Sequence, residues 1–228
     1  MNSKDSITSV VATLDKEFTQ YYSVNSTQKR RGDDLLNSIA EQVIDCKRKY
    51  AVVNKQEPDV IIFFRDGIGS GSFDQVREKE IAEILRQLKE GSSDKNKVPK
   101  LCYIVVNKRV NDRFFELNKQ SRQLQNPNGG LIIKSTVTNS TGFDYFMVSQ
   151  NVNRGTATPT HYECLFNNTG LTADTIYELT YYQTFNYYNW PGPVKVPAVI
   201  QYATKQGYLV GSTKMKTKEA GTSEDLES

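Results

Sequence analysis

The chain has 228 residues, is 37% hydrophobic and 24% charged, and carries 29 Lys+Arg against 26 Asp+Glu, a net charge of +3. This is the size and composition of one large globular domain, and it excludes collagen-like, wholly disordered and membrane-spanning chains, since no apolar run is longer than six residues. A polar N-terminus without a secretory signal and three widely spaced cysteines lead us to expect a cytoplasmic protein with free thiols.

Two β-rich stretches open the chain, at residues 6–14 and 18–24, with a short charged turn between them. They predict a hairpin. From Asp33 onward apolar residues recur at helical spacing, and acidic residues stand near the positive end of the helix dipole. This pattern predicts a helix that ends near Val53.

The next segment alternates strand and helix signals. Residues 59–64 form an apolar run that is typical of a strand covered on both faces in a mostly parallel sheet. A glycine loop at 67–71, a helical pattern as far as Leu88 and a second apolar run at 101–106 follow. This strand, helix, strand order predicts an α/β fold.

The remainder of the chain begins with a polar, basic and loop-rich segment at residues 107–130, followed by two β-prone stretches at 131–137 and 143–148. A helix is expected from Asp174, capped by Thr172, to about Tyr188.

The C-terminal part of the chain contains one further predicted element and a tail. Residues 194–202 fit a short extended or helical segment. We expect a folded domain over residues 1–211 and a polar, disordered tail over 212–228.

Three features are candidate site elements. The glycine loop lacks the Lys-Ser/Thr of a phosphate-binding loop, so a plain tight turn is favoured over nucleotide binding. Asp66 stands at the end of an apolar strand, where a Mg²⁺ ligand and a cap or ion pair with Arg65 are equally compatible with the pattern. The single histidine, His161, has no Cys or His at metal-ligand spacing, which favours a hydrogen-bonded structural role over acid/base catalysis.

One segment is strongly basic: residues 95–134 carry nine Lys or Arg and two Asp or Glu. Cations interleaved with Phe114 and Phe115 suit a nucleic-acid phosphate backbone, although a solvated basic face gives the same pattern. The cations closest to these aromatics are Lys108, Arg109, Arg113, Lys119 and Arg122.

Several stretches together resemble the PIWI domain of the Argonaute family. They are DVIIFFRDG at 59–67, IVVNKR at 104–109, FDYF at 143–146, GTATPTHY at 155–162 and VPA at 196–198 with Tyr202 and Ala203. The resemblance implies an RNase H-like α/β fold with a central mixed sheet flanked by helices. It also implies that the first strand, which lies between the hairpin and the strand at 59–64, is missing from this sequence.

The resemblance further implies a module that holds a guide RNA paired to a target, and that cuts the target with Mg²⁺ in active members. Such members use Asp, Glu, Asp and then His or Asp. Asp66 matches the second Asp, whereas the Glu position falls at Asp34, whose side chain is one methylene shorter. The fourth position is Thr204, a poor Mg²⁺ ligand, and the first Asp belongs to the missing strand.

The resulting hypothesis is a nucleic-acid-binding PIWI domain without slicer activity. Its expected RNA contacts are Lys108, Arg109, Lys119 and Arg122, with Asp66 as a remnant metal ligand. The alternatives are a C-terminal fragment of a Mg²⁺-dependent, RNA-guided endoribonuclease and a protein-interaction scaffold. The scaffold would dock Argonaute-type protein partners through the aromatic residues Tyr181, Tyr187, Tyr188 and Trp190.

Overall fold

A computed structural model describes residues 6–28, 38–92, 94, 97–138 and 143–224, with the backbone alone for Ser6, Gln28 and residues 214–224. The strands are β1 (Ser6–Thr13), β2 (Tyr21–Gln28), β3 (Val60–Asp66), β4 (Lys100–Asn107), β5 (Glu116–Leu117), β6 (Leu124–Gln125), β7 (Leu131–Ile133), β8 (Phe143–Val148) and β9 (Thr160–Asn167). The helices are α1 (Ile39–Asn54), α2 (Phe73–Gln75), α3 (Ala82–Glu90), α4 (Ala173–Gln183) and α5 (Ala198–Glu224).

Five strands form the central sheet in the order β3, β4, β9, β8, β7. β3 and β4 are parallel, and the other neighbouring strands are antiparallel. The sheet is therefore mixed, as the family resemblance implies. The expectation of a mostly parallel sheet is wrong, because only the helical crossover between β3 and β4 yields a parallel pair whereas the later connections reverse the chain.

The central strand β9 is the one element of this sheet that the sequence pattern did not predict. It lies between β4 and β8. Its polar residues His161 and Glu163 alternate with the fully buried Tyr162. This polar alternation inside the sheet hides the apolar run by which a buried strand is usually recognised.

The hairpin at the start of the chain is confirmed, with β1 and β2 paired antiparallel over eight positions. The helix after it, α1, is described from Ile39, so its expected start at Asp33 lies outside the described residues. α1 ends at Asn54, one residue beyond the predicted end. Lys55 then adopts a left-handed conformation with φ of 60°.

The crossover between β3 and β4 is a helical segment of changing geometry. A 3₁₀ turn at Ser70–Ser72 leads into α2, a π turn spans Val76–Ile81, and α3 completes the segment. The π turn widens the helix at the point where Glu80 faces the sheet. Glu80 is buried there.

Side chains from both faces of the sheet fill two cores. On one face, α1 and α3 cover Leu101, Tyr103 and Val105 of β4. On the other, α4 and α5 cover the alternate residues Cys102, Ile104 and Val106, together with Tyr145 and Tyr162 of β8 and β9. The burial of residues 101–106 of β4 follows from the position of the strand inside the sheet with helices on both sides.

The predicted cap of α4 is confirmed, because the Thr172 side chain accepts a hydrogen bond from the backbone N–H of Thr175 at 3.2 Å. α4 ends at Gln183, before the expected end near Tyr188. The chain turns away there, and the Val194 N–H donates back to the Thr184 carbonyl at 2.8 Å.

The last helix, α5, begins at Ala198 and runs to Glu224, so the structure differs from the expected disordered tail over residues 212–224. The Ser212 and Thr213 hydroxyls donate to carbonyls one turn earlier, and the Lys, Ala and Glu content of the segment favours a helix despite its polarity. Residues 225–228 lie outside the described residues. Across the described helices, none has the length and apolarity needed to cross a membrane.

Candidate nucleic-acid interface

The carboxyl ends of β3 and β4 meet at one edge of the sheet because the two strands are parallel. Asp66 pairs in register with Val106, and Lys108 follows two residues later. The Lys108 ammonium donates to Asp66 Oδ2 at 2.5 Å, with the two side chains about one third exposed. Arg65 donates instead to the backbone carbonyl of Asp66 at 2.6 Å, so the ion pair that forms at this carboxylate is with Lys108.

A further cation, Lys195, reaches Lys108 from far along the chain. Lys195 Nζ donates to the Lys108 carbonyl at 2.9 Å. Burial, followed by repulsion from Arg113 and Lys108, lowers the pKa of Lys195. Lys108, Arg113 and Lys195, together with the exposed Arg109 that directly follows Lys108 in the chain, are hereafter the cationic cluster. Lys195 is partly desolvated there, and the positive charge of the cluster favours an incoming anion.

Sequence reasoning missed Lys195. It stands alone between Val194 and Val196, without the neighbouring cations that mark a basic segment. Its proximity to Lys108 is a tertiary contact across 87 positions. The preceding Pro-Gly-Pro segment, which turns the chain back towards the sheet, is the only local signal for it.

The other two expected RNA contacts, Lys119 and Arg122, lie in the turn between β5 and β6. Both are exposed, and Arg122 has a positive φ of 54°. Asn118 Oδ1 organises the turn by accepting from the N–H groups of Gln120 and Ser121. This turn is separate from the hydrogen bonds that join Asp66, Lys108 and Lys195.

The remaining expected slicer positions fall on different parts of the chain. Asp34 lies outside the described residues. Thr204 is on α5, and its hydroxyl donates to the Ile200 carbonyl at 2.9 Å. Thr204 and Asp66 nevertheless line the same cavity.

This cavity, of about 1150 Å³, separates the hairpin from the central sheet. β1 forms one wall and β3 the opposite wall, with α1 residues such as Val43 and α5 residues such as Ile200 between them. Within the described residues β1 pairs only with β2 and β3 pairs only with β4, so each strand presents an unpaired edge to the cavity. The resemblance places the first strand of the RNase H-like sheet at this position.

The described residues at Asp66 do not fit a magnesium site. Its Oδ2 accepts the Lys108 ammonium, and the Thr204 hydroxyl is turned to a backbone carbonyl. Nowhere in the described ranges do three His, Cys, Asp or Glu side chains gather as a metal-binding group.

His161 is hydrogen-bonded, as expected for a structural histidine. Its Nε2 lies 2.7 Å from Asp144 Oδ2 and its Nδ1 lies 3.6 Å from Glu163 Oε2, while Phe146 stacks on the ring at 4.1 Å. Asn107 Nδ2 donates to Glu163 Oε2 at 2.9 Å. These contacts join β4, β9 and β8 on one face of the sheet.

The Glu163 carboxyl makes stability pH-dependent. Burial raises its pKa above the unfolded value of roughly 4.3. The native state then holds this proton more tightly than the unfolded state. The contribution of Glu163 to the free energy of unfolding is therefore full below about pH 4.3 and is lost as the pH rises through the pKa of the folded state.

We expect the urea-unfolding midpoint of the unmodified chain to fall between about pH 4.3 and the folded pKa of Glu163, and Glu163→Gln to flatten that fall. Parallel curves for the two proteins would contradict the assignment.

The chain matches the Piwi domain family over residues 1–214. Piwi-like protein Ago3 of Bombyx mori is 37% identical over 206 residues, which cover 90% of this chain and 22% of the relative. Protein piwi of Drosophila melanogaster is 37% identical over 204 residues, 89% of this chain and 24% of the relative. The chain thus spans about a quarter of the length of these relatives.

Solved structures share the fold. The crystal structure of Drosophila Piwi superposes with a TM-score of 0.75 at 31% identity, over 92% of this chain and 30% of that one. The C-terminal lobe of a budding yeast Argonaute gives a TM-score of 0.82 at 25% identity, over 91% and 43%. Kluyveromyces polysporus Argonaute with a guide RNA gives 0.82 at 24% identity, over 92% and 26%.

Proposed function

This chain belongs to the Piwi domain family, and on that premise we propose that it binds a small guide RNA and the target strand paired to it without cutting the target. The observation that carries the proposal is the cationic cluster at the edge of the sheet. Lys108 and Lys195 reach it from different parts of the chain and are joined there by a hydrogen bond. A bound phosphate relieves the repulsion between these cations and neutralises the partly buried positive charge. Nucleic acids present such phosphates in series along the strand.

Each cation has a distinct part in this proposal. Arg109 and Arg113 are exposed and meet phosphate oxygens. Arg113 uses its Nη1 on the loop carbonyls of Val110 and Asp112, so its Nη2 is the nitrogen that meets phosphate. Lys108 is shared between Asp66 and the bound phosphate, and Lys195 holds the backbone of Lys108 in place. The contacts lie on the backbone of the nucleic acid, so binding is expected to depend little on sequence. Lys119 and Arg122 extend this contact along the strand.

The absence of cutting is proposed from the chemistry of two positions. The Asp66 charge is compensated by an ammonium, and Thr204 offers a neutral hydroxyl where active members have His or Asp. One carboxylate is too few to hold the two metal ions that stabilise attacking and leaving oxygens in phosphodiester hydrolysis.

The alternative, a Mg²⁺-dependent RNA-guided endoribonuclease of which this chain is part, is favoured by one observation. The cavity between β1 and β3 reaches Asp66. A strand paired with both free edges would bring its own side chains beside that carboxylate. A further carboxylate there could displace Lys108 from Asp66.

Replacing the carboxylate distinguishes the two functions. For a phosphate-binding site we expect Asp66→Asn to raise the affinity for a labelled single-stranded RNA several-fold, equally with and without Mg²⁺, because the variant frees Lys108 and removes a charge that repels phosphate. Asp59 is exposed and directly precedes β3, at the opposite end of the strand from Asp66. Asp59→Asn is therefore the matched control and leaves affinity unchanged. Weaker binding by Asp66→Asn, together with loss of a Mg²⁺-dependent cleavage present in the unmodified chain, would establish the nuclease instead.

Protein partners and location complete the proposal. Of the aromatic residues considered for docking, Tyr188 is 92% and Trp190 56% exposed, whereas Tyr187 is buried. We propose Argonaute-type protein partners as secondary to RNA, because only part of this aromatic set is accessible. The three free cysteines support a cytoplasmic location.

A further inference from the structure

Two of the three free cysteines lie side by side in the sheet. Cys102 of β4 and Cys164 of β9 point into the core beneath α4 and α5, with their sulfur atoms 3.8 Å apart. The third, Cys46, belongs to the core on the opposite face. Neither the RNA-binding proposal nor the core packing requires two thiols at this place.

An irregularity in the strand pairing accounts for the proximity. Cys102 pairs with Asn167, and Cys164 pairs with Ile104. The register shifts between these two pairs, leaving an extra residue, Leu165, on the β9 side. A bulge of this kind bends the strand and redirects its side chains, which brings diagonal neighbours within contact.

The two thiols have unequal surroundings. Cys102 is fully buried, whereas Cys164 is partly exposed. The hydrogen bond between them lowers the pKa of Cys164 and raises that of Cys102, so the more accessible sulfur is the one that becomes a thiolate. By contrast, burial raises the pKa of Cys46 to about 12. A thiolate with a neighbouring thiol is the arrangement of reversible thiol oxidation sites.

We propose that Cys164 and Cys102 form a modification site at which a hydroperoxide converts the thiol pair reversibly into a disulfide. The Cys164 thiolate attacks one peroxide oxygen and the O–O bond breaks, giving a sulfenic acid and hydroxide, which takes up a proton to become water. The Cys102 sulfur then attacks the Cys164 sulfur, and the sulfenic oxygen leaves as a second water. Two thiols and one H₂O₂ thus become one disulfide and two H₂O.

The geometry permits this step with local movement. The sulfur atoms must approach from 3.8 Å to about 2.05 Å, a change within reach of side-chain rotation beside a bulge. The bond would tie β4, which Lys108 directly follows, to β9, which carries His161. The site stands independently of RNA binding, so either proposal can fail without the other.

Hydrogen peroxide and the full chain provide the test. After treatment and denaturation, we expect the count of titratable thiols to fall from three to one, and peptide mapping without reductant to show a Cys102–Cys164 cross-link. Dithiothreitol restores all three thiols. Cys46→Ser is the matched control and loses its two remaining thiols together. In Cys102→Ser, dimedone should capture the Cys164 sulfenic acid.

Peptide mapping of the unmodified chain does not depend on the folding of any variant, so this measurement alone decides whether the Cys102–Cys164 disulfide forms. Three intact thiols after peroxide, a cross-link that involves Cys46, or a singly oxidised Cys164 beside an unmodified Cys102 would each overturn the proposal.

Discussion

Replacing Lys108, Arg109 and Arg113 together by alanine is expected to weaken binding of a single-stranded RNA about 100-fold at roughly 0.1 M salt. Each phosphate contact on a single strand releases about 0.7 of a counterion, which corresponds to roughly fivefold in affinity per contact at that salt concentration. Three contacts multiply to about two orders of magnitude. Fluorescence anisotropy with a labelled oligonucleotide measures the change.

The same loss of charge elsewhere provides the control. Arg48 and Lys89 are exposed on α1 and α3, and Lys100 is exposed at the start of β4, the opposite end of that strand from Lys108. Their triple alanine variant removes three positive charges from the protein but is expected to change affinity by no more than a few-fold. Equal losses in the two variants would mean that the net charge of the chain, and not the cationic cluster, determines binding.

Glu80→Ala is expected to lower the free energy of unfolding by about 3–5 kcal/mol, the cost of removing one partner of a buried ion pair. Glu80 is 2% exposed, and its carboxylate accepts from Arg65 Nε and Nη2 at 3.3 Å and from the Tyr103 hydroxyl at 2.6 Å. Removing the Glu80 carboxylate takes the anionic partner from the buried Arg65 guanidinium and the acceptor from the buried Tyr103 hydroxyl.

Urea unfolding of Glu80→Ala, Glu80→Gln and Glu83→Ala separates charge from hydrogen bonding. Glu80→Gln retains an acceptor for Tyr103 and should fall between the unmodified chain and Glu80→Ala. Glu83 is bonded to Arg86 on the surface of α3, so its alanine variant should leave the unfolding midpoint almost unchanged. A midpoint for Glu80→Ala close to that of Glu83→Ala would show that the buried pair contributes little.

This buried pair also connects stability to the interface. Arg65, which Glu80 holds, donates to the Asp66 carbonyl at 2.6 Å and so fixes the backbone from which the Asp66 carboxylate projects. The π turn supplies the extra residue that lets Glu80 face the sheet. The position of Asp66, and with it the contact to Lys108, therefore depends on the π turn that follows Asp66 in the chain.

Local patterns were enough to predict much of the fold. The apolar runs at β3 and β4, the hairpin and the Thr172 cap follow from periodicity and side-chain chemistry acting within a few residues. The position of Asp66 at a strand end was predictable for the same reason. The family resemblance added that the sheet is mixed, a property that depends on how distant strands pair.

Other features depend on distant contacts and left no local signal. The polar His161 and Glu163 in β9 are satisfied by Asp144 and Asn107 on neighbouring strands, so their polarity is compatible with a central strand only once the sheet has formed. The hydrogen bond between Lys195 and the Lys108 carbonyl likewise forms only once distant parts of the chain have packed together. The π turn depends on the partner of Glu80, which no spacing rule in the sequence reveals.

The central claim is that phosphate contacts to the cationic cluster carry RNA binding, and the salt dependence of the dissociation constant tests it most directly. With five phosphate contacts, from Lys108, Arg109, Arg113, Lys119 and Arg122, log Kd plotted against log salt concentration should rise with a slope of about 3.5 for the unmodified chain. The Lys108, Arg109 and Arg113 triple variant should lose most of that slope. A slope near zero, or the same slope in the variant as in the unmodified chain, would contradict the claim.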